Sequence, residues 1–124
     1  MKKYRIGIVG ATGAVGQEII NLLEKREFPV SEARLLASSR SAGREMQACG
    51  NLEVVQETTP DSFKSLDIAI FSAGSQNTEI FADAALKNGC VVIDNSSAFR
   101  MDKDVPLVIP EINGDALESH KGII

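Results

Sequence analysis

A glycine-rich loop near the N-terminus is the part of this sequence best suited to hold a phosphorylated ligand. Gly10 to Gly16 follow the apolar run Tyr4 to Val9 and open an amphipathic segment that begins at Ala14. Glycines permit a tight turn and a close approach of the backbone to a pyrophosphate, and free N–H groups at a helix N-terminus attract its charge. We therefore predict a dinucleotide site at this loop. Its expected contacts are Gly10, Thr12, Gly13, Ala14 and Val15.

The glycines of this loop are spaced GxxGxxG, whereas the standard dehydrogenase fingerprint is GxGxxG. The spacing indicates a related loop rather than the common dehydrogenase type. A glycine-rich turn that serves packing alone is the alternative interpretation. The apolar strand before the loop and the helix after it favour the nucleotide site.

The residues after the second apolar run discriminate between the two nicotinamide dinucleotides. An acidic side chain there would bind a ribose 2′-OH and repel a 2′-phosphate. The chain has Ser38, Arg40 and Ser41 at this point and no acid. A guanidinium beside hydroxyl groups suits phosphate recognition, so NADP is the predicted cofactor. The alternative is a solvated arginine in a surface turn.

Two further polar loops follow apolar runs. Ser72, Ala73 and Gly74 are small residues, as expected where the backbone runs beside a cofactor, although small residues also serve helix packing. The loop from Asp94 to Arg100 places an amide, hydroxyl groups and a guanidinium where ligands of open α/β sheets bind. A phosphorylated or carboxylate substrate fits there. A polar loop with Arg100 in a surface ion pair is the alternative.

The elements that must position these loops alternate between strand and helix. Short runs rich in Ile, Val and Leu predict buried strands, and helical spacing predicts two amphipathic helices, the second with Gly89 as its C-cap. We therefore predict an α/β fold: a Rossmann-like, doubly wound, mostly parallel sheet with helices on both faces. The predicted strands are Tyr4 to Val9, Ala33 to Ala37, Asp67 to Ser72 and Cys90 to Asp94, and the helices are Ala14 to Lys25 and Asn77 to Lys87.

The pattern also predicts which helix residues face the sheet, and it predicts several shorter elements. The expected inward residues are Val15, Ile19, Leu22 and Leu23 in the first helix and Ile80, Phe81, Ala84 and Ala85 in the second. The expected short elements are strands at Glu53 to Gln56 and Leu107 to Ile109, a helix that starts at Thr59-Pro60-Asp61, a helix from Gly114 to His120, and a strand that begins at Gly122 to Ile124.

Composition bounds the size and the partners of the chain. Its 124 residues, 44% hydrophobic and 24% charged, suit one domain spanning residues 1–124. A net charge of -4 offers no attraction to nucleic acid or an anionic membrane surface, so we expect neither partner. No export signal or membrane span is recognisable, and two cysteines without a CxxC pair suit a reducing compartment. We therefore expect a cytoplasmic location, and we predict no metal site.

Five segments, taken in order, resemble the aspartate-semialdehyde dehydrogenase family. The Asn-Ser-Ser-Ala-Phe-Arg and Pro-Glu-Ile-Asn stretches carry most of the resemblance, which covers nearly the whole chain. The segments are Gly10 to Gly16, Ala37 to Gly43, Ser72 to Gly74, Asp94 to Arg100 and Ile109 to Asn113.

The resemblance implies a reaction and a role for several residues. In that family NADPH reduces L-4-aspartyl phosphate to the semialdehyde with release of phosphate, through a thioester on a catalytic Cys assisted by a His. By position, Thr12 to Val15 would bind the cofactor phosphates and Arg40 with Ser41 the 2′-phosphate. Arg100 would bind the phosphate of this acyl-phosphate substrate, and Asn95 would line the same cleft. The parent enzyme would be a homodimer.

The sequence departs from the family at the nucleophile. The family's catalytic Cys follows the strand that Gly122 to Ile124 would begin, and we therefore expect a truncated chain that is inactive alone. Cys90 starts a predicted buried strand and Cys49 has no His near it in sequence, so both are expected to be buried or incidental thiols. His120 is expected at an exposed helix end and is not assigned as the base.

Three alternatives stay open. N-acetyl-gamma-glutamyl-phosphate reductase reduces another acyl phosphate with NADPH on a similar domain, and Arg40 and Arg100 would serve both enzymes. A non-catalytic NADP-sensing module is an answer of a different class. An extended short-chain dehydrogenase also uses GxxGxxG but needs a Tyr-x-x-x-Lys pair, and the one tyrosine of this chain is Tyr4.

Overall fold

A computed structural model describes residues 2–99 and 102–124 of the chain. Its centre is a five-stranded sheet in the order β5-β2-β1-β6-β7, in which every pair is parallel. In chain order the elements are β1 (Tyr4–Val9), α1 (Ala14–Lys25), β2 (Val30–Ala37), β3 (Glu45–Ala48), β4 (Asn51–Val54), β5 (Gln56–Glu57), a 3-10 helix (Pro60–Phe63), β6 (Ile68–Phe71), α2 (Ser75–Lys87), β7 (Val91–Asp94), α3 (Pro110–Asn113) and a second 3-10 helix (Gly114–Ser119).

The two long helices cover opposite faces of the sheet. Ile6 and Ile8 of β1 belong to a core cluster with Ile20 of α1, whereas Val9 belongs to a second cluster with Ala85 of α2. Alternate residues of one strand point to opposite faces, so the central strand β1 contributes to both cores. The predicted fold class is confirmed. The order of strands reverses between β1 and β6, and their carboxyl ends form the crevice where such sheets bind ligands.

Helix α1 has the predicted boundaries but a different buried face. Val15 is 47% exposed and Leu22 is 40% exposed, so their predicted inward orientation is wrong. Gly16 and Ile20 are the buried residues of the helix, and Ile19 and Leu23 pack against the core as expected. The rotation has a steric cause, because only a glycine allows this side of the helix to approach the loop that precedes it.

Helix α2 also differs from the prediction at one apolar position. Ile80 is 58% exposed, whereas Ala82, Ala85 and the polar Thr78 are buried. Phe81 and Ala84 pack on the core as predicted. Small side chains facing the sheet bring the helix close to it, and a hydrogen bond between Thr78 and β7 fixes its rotation, which leaves the larger isoleucine outside.

The predicted strand at Glu53 to Gln56 is divided between two sheets. β4 pairs antiparallel with β3, and β5 continues the main sheet beside β2. Buried Val55 lies between the two. The β3–β4 hairpin turns at Cys49 and Gly50, whose φ values of 50° and 87° are those of the tight turn that two-residue hairpins favour. The helix predicted at Thr59 is confirmed as the 3-10 helix Pro60–Phe63.

The C-terminal segment contains one wrong prediction and two correct ones. Leu107 to Ile109 is not a strand, because Asn113 occupies its backbone groups: Asn113 Oδ1 accepts from the Ile109 N–H and Nδ2 donates to the Leu107 carbonyl. The predicted helix near Gly114 is the second 3-10 helix. Ile123 bridges Val92 in parallel, so the start of a strand at Gly122 to Ile124 is confirmed.

Candidate dinucleotide-binding site

The glycine-rich loop makes a tight turn between β1 and α1. Gly10 has a φ of 87°, a left-handed conformation that favours glycine. The N–H groups of Gly10 and Ala11 both donate to the Leu36 carbonyl of β2, at 2.8 and 3.1 Å, and the Gly13 N–H donates to the Gly10 carbonyl at 3.1 Å. These bonds fix the loop at the carboxyl edge of the sheet, where it was predicted to lie.

Two of the loop glycines are required by close contacts. A Cβ atom on Gly16 would lie 2.2 Å from the Gly10 carbonyl oxygen, which no real side chain tolerates. A Cβ atom on Gly10 would lie 3.0 Å from the backbone of Ala73, the residue after β6 and Ser72. Gly16 therefore allows helix α1 to pack against the loop that precedes it. Gly10 allows that loop to pack against the chain that follows β6.

The start of α1 is arranged to attract an anion. Gly13 is its N-cap and provides no side chain to bond the first amide groups, and the first turn contains no acid. The first N–H groups of a helix have no intrahelical acceptor, and the helix dipole adds partial positive charge. Ala14 and Val15 are exposed at this point. The backbone here can cradle a phosphate without help from a cationic side chain.

A cleft of about 310 Å³ opens beside this loop. Four of the predicted cofactor residues line it, namely Gly10, Thr12, Ser38 and Ala73. Its other lining residues are Val9, Ala37, Ser39, Glu57, Thr58, Asn77 and Phe81. The cleft thus lies over the carboxyl ends of β1, β2 and β5, with the first turns of α2 as one wall.

Sequence reasoning missed the contributions of β5 and α2 to this cleft. Glu57 ends β5 beside Ala37 of β2, and Thr58 follows it with its hydroxyl donating to the Ala37 carbonyl at 3.1 Å. Asn77 and Phe81 lie four residues apart on α2, as neighbours on one helix face do. The sequence signal that could have found them is their position in the chain. Glu57 and Thr58 lie at the end of a short strand, and Asn77 and Phe81 follow the Ser72–Gly74 loop.

The loop after β2 brings the predicted 2′-phosphate residues beside the glycine loop. Thr12 Oγ1 donates to Ser41 Oγ at 3.4 Å. The Ser41 N–H donates back to the Ser38 carbonyl at 3.0 Å, which turns the chain tightly here. Ser38 and Arg40 are exposed, and Ser41 is half-buried. Arg40 is therefore accessible to solvent, but it is not among the residues that line the cleft.

The small-residue loop after β6 has a structural role in this arrangement. Both the N–H and the hydroxyl of Ser72 donate to the Val9 carbonyl, each at 2.9 Å, so this hydroxyl links β6 to β1. Ala73 lines the cleft, and Gly74, with a φ of 91°, is the N-cap of α2. This loop lies against the glycine loop at Gly10, and its predicted contact with a cofactor stays a prediction.

Asn95 lies on another side of the glycine loop. Its N–H donates to the Phe71 carbonyl at 3.0 Å, and its side chain is exposed. With Ala14 and Val15 it borders an apolar depression over β6 and β7, whose floor includes Ile70 and Ile93. The predicted cofactor residues thus flank the glycine loop on two sides. Arg100, the predicted substrate-phosphate ligand, lies outside the described residues.

Neither thiol of the chain resembles a nucleophile. Burial raises the pKa of the Cys90 thiol, and Asp67 raises it further; its Sγ donates to the Leu66 carbonyl at 3.4 Å. Burial also raises the pKa of Cys49, and the carboxylates of Glu24 and Glu53 add to the effect. Both environments disfavour the thiolate, which is the reactive form.

The remaining candidate groups point to no further chemistry. His120 is exposed and caps the second 3-10 helix, and its Nδ1 accepts from the Gly122 N–H at 3.0 Å. Among residues 2–99 and 102–124, no group of three His, Cys, Asp or Glu side chains is placed to hold a metal ion. Over the same ranges, no helix has the length and apolarity to cross a bilayer.

Comparison with known proteins places this geometry in a family. Residues 5–120 match the family model described as semialdehyde dehydrogenase, NAD binding domain. The aspartate-semialdehyde dehydrogenase of Bacillus subtilis is 49% identical over 119 residues, which are 96% of this chain and 34% of that protein. The chain spans about a third of the length of such relatives.

Solved structures agree with the sequence relatives. Aspartate semialdehyde dehydrogenase II from Vibrio cholerae, complexed with ASA, superposes with a TM-score of 0.91 at 41% identity. The match covers 99% of this chain and 41% of the Vibrio cholerae chain. Aspartate semialdehyde dehydrogenase with NADP from Candida albicans gives 0.79 at 32% identity, covering 93% of this chain and 36% of its own.

Proposed function

Because this chain belongs to the family of semialdehyde dehydrogenase NAD-binding domains, we propose that it is the NADP-binding domain of an aspartate-semialdehyde dehydrogenase. The observation that carries the proposal is the close approach of Gly16 to the Gly10 carbonyl. A Cβ atom on Gly16 would lie only 2.2 Å from that carbonyl oxygen. The close approach seats the uncapped start of α1 against the loop, and this leaves backbone amides facing the space that a pyrophosphate would fill.

The residues of the chain suit this cofactor. The amides of Thr12, Ala14 and Val15 would hold its pyrophosphate, whereas the Gly13 N–H already donates to the Gly10 carbonyl. The exposed guanidinium of Arg40 with the Ser41 hydroxyl would hold its 2′-phosphate. Phe81 and Thr58 line the cleft, and the Thr58 hydroxyl, which donates to the Ala37 carbonyl, can still accept a hydrogen bond. NADPH would supply a hydride, and the chain would bind and orient it. The Candida albicans structure with NADP supports the same cofactor here.

The reaction of the whole enzyme forms the second part of the proposal. The enzyme would reduce L-4-aspartyl phosphate to L-aspartate 4-semialdehyde and release phosphate, through a Cys thioester, in the biosynthesis of lysine, threonine, methionine and isoleucine. Arg100 would bind the phosphate of this substrate. The relatives reported above support the aspartyl rather than the N-acetylglutamyl substrate. A cytoplasmic homodimer is the expected parent.

The 124 residues alone would bind ligands without turnover. A thioester needs a thiolate, and the pKa of each thiol in this chain is raised above its ordinary value. The domain would therefore bind the cofactor and the substrate phosphate, and a nucleophile from elsewhere in the enzyme would perform the chemistry.

Thermal unfolding tests the proposed binding function. A ligand that binds only the folded chain raises its Tm in proportion to the logarithm of its excess over Kd. We expect NADP to raise the Tm of the chain and ATP at the same concentration to raise it much less, because ATP lacks the 2′-phosphate and the second nucleotide. An unchanged Tm at millimolar NADP would contradict the proposal.

A further inference from the structure

One buried hydroxyl joins helix α2 to the loop that follows β7. Thr78 is fully buried on α2, and its Oγ1 lies 3.1 Å from Asp94 Oδ1 at the end of β7. Ser96 Oγ lies 3.2 Å from the same Thr78 oxygen. The carbonyl of Gly74, one turn earlier in the helix, lies 3.2 Å away. Thr78 thus contacts three separate polar groups from inside the domain.

The chemistry of a hydroxyl limits how these groups share it. Thr78 has one proton, for which the charged Asp94 carboxylate competes with the neutral Gly74 carbonyl, and its oxygen can accept the Ser96 proton at the same time. A threonine in a helix can satisfy itself with the carbonyl four residues earlier. The Gly74 carbonyl alone would therefore satisfy the Thr78 hydroxyl within the helix, and the bonds to Asp94 and Ser96 are additional to it.

The same groups continue into the loop backbone. Asp94 Oδ1 also accepts from the Ser96 N–H at 2.8 Å, and Ser96 Oγ accepts from the Ala98 N–H at 3.1 Å. The chain from Asp94 to Ala98 is thus held by a connected set of hydrogen bonds that ends on the Thr78 hydroxyl. Because the threonine is buried, water cannot substitute for it readily.

We propose that Thr78 is a positioning residue, which holds the Asp94 to Ala98 loop in the conformation that binds the phosphate of the substrate. This inference rests on the proposed function, in which the same loop leads two residues later to Arg100. Thr78 touches no ligand itself. It acts through Asp94 and Ser96, and it connects their loop to the helix that starts directly after the Ser72–Gly74 loop.

Phosphate binding to isotope-labelled chain tests the proposal by NMR. Inorganic phosphate is titrated in saturating NADP, which fills the glycine loop, and the amide signals of residues 96–98 report the bound anion. We expect Thr78→Val to weaken phosphate binding about five- to tenfold, since it removes a hydrogen bond to a charged group but keeps the shape. Thr78→Ser restores the hydroxyl, so it should bind within about twofold of the unaltered chain.

Two further variants separate positioning from loss of stability. Ser96→Ala removes the other hydroxyl at a half-buried site, and it should also weaken phosphate binding even if the valine variant does not fold. Ser62→Ala removes a buried hydroxyl that bonds to Thr59, away from the loop. It should lower Tm without changing the Kd for phosphate. Each titration is run at an NADP concentration that saturates the variant in question, because Asn95 lies in the same loop and Phe81 in the same helix.

The outcomes distinguish this inference from the function on which it rests. Unchanged phosphate binding in Thr78→Val or Ser96→Ala would overturn the inference, as would an equal loss in Thr78→Ser or in Ser62→Ala. If the unaltered chain binds NADP but no phosphate, the proposed substrate-phosphate site is wrong and the inference fails with it. If the unaltered chain does not bind NADP either, the proposed function itself is wrong.

Discussion

The hydroxyl of Thr12 donates to the hydroxyl of Ser41 at 3.4 Å and joins the glycine loop to the loop after β2. The first loop would hold the pyrophosphate of a dinucleotide, and the second would hold a 2′-phosphate on the adenosine ribose. The bond brings these two loops together. Arg40, the exposed cation of the same turn, directly precedes Ser41 in the chain.

Removal of the Ser41 hydroxyl should affect only the phosphorylated cofactor. We predict that Ser41→Ala weakens NADP binding about three- to tenfold, the effect of one hydrogen bond to a charged group, and leaves NAD binding within about twofold. Isothermal titration calorimetry measures both. Ser119→Ala, in the distant second 3-10 helix, is the matched control. An equal loss for NAD would mean that the bond serves the loop fold and not the 2′-phosphate.

Substitution of Gly16 tests the contact that seats α1 on its loop. Alanine normally stabilises a helix interior by about 0.5–1 kcal/mol relative to glycine. Here we predict that Gly16→Ala destabilises the chain by about 2–3 kcal/mol, because its Cβ would meet the Gly10 carbonyl oxygen at 2.2 Å. Urea unfolding followed by circular dichroism gives the difference in free energy.

Gly13 provides the control for that substitution. A Cβ atom there would lie 3.5 Å from the Gly10 carbonyl oxygen, an ordinary contact, and its φ of -76° suits any residue. Gly13→Ala should cost less than about 1 kcal/mol, as expected for an N-cap change. Equal costs for the two alanines would show that the close approach at Gly16 is not what stabilises the loop.

The boundaries of β1 and α1 could be predicted from the sequence, whereas β2 and α2 begin three and two residues before their predicted starts. The faces that the helices bury could not be predicted. Strand β1 and helix α1 match the predicted ranges, because an unbroken apolar run and helical spacing are local signals. The exposure of Val15 and Ile80 depends on contacts between distant segments. Apolar spacing does not reveal that Gly16 must meet the Gly10 carbonyl or that Thr78 bonds to Asp94.

The candidate site was predictable to the extent that it lies within single loops. Four residues that were predicted to contact a cofactor line the cleft, since each ends or follows a recognisable strand: Gly10, Thr12, Ser38 and Ala73. Their contact with a cofactor stays a prediction. Glu57 was missed because β5 is only two residues long and carries no apolar pattern. Its place beside Ala37 arises from strand pairing across the sheet, which the sequence does not state.

Glu57 adds an acidic group to a cleft predicted to hold an anion. Its carboxylate is exposed at the end of β5, among the residues that line the cleft with Ser38. We predict that Glu57→Gln strengthens NADP binding about two- to fivefold, because a like charge is removed at constant size. The gain should fall at high salt. Weaker binding in this variant would indicate instead that the carboxylate accepts a hydrogen bond from the cofactor.

The raised pKa values of both thiols predict slow alkylation with a shifted pH dependence. A raised pKa leaves less thiolate at a given pH, so labelling by iodoacetamide should be slower than for a free thiol at neutral pH and should rise at higher pH than usual. Cys49, which is half-buried, should react before the buried Cys90. Mass spectrometry after peptide digestion identifies which thiol has reacted.

A single substitution tests the cause of the shift at Cys49. Burial raises the pKa of this thiol most, and the Glu24 carboxylate, which accepts from the Cys49 N–H at 2.8 Å, raises it further. Glu24→Gln removes the charge and keeps an acceptor, so the pH midpoint of Cys49 labelling should fall while that of Cys90 stays the same. Rapid labelling of either thiol at neutral pH in the unaltered chain would contradict its assignment as a non-nucleophilic group.

The ratio of the NADP and NAD dissociation constants tests the central claim most directly. Calorimetry on the unaltered chain should show NADP bound at least about tenfold more tightly than NAD, since Arg40 offers a charged fork to the 2′-phosphate. In Arg40→Ala this preference should shrink to about twofold or less, with NAD binding unchanged. Equal affinity for the two dinucleotides in the unaltered chain, or a preference that survives in Arg40→Ala, would contradict the assignment.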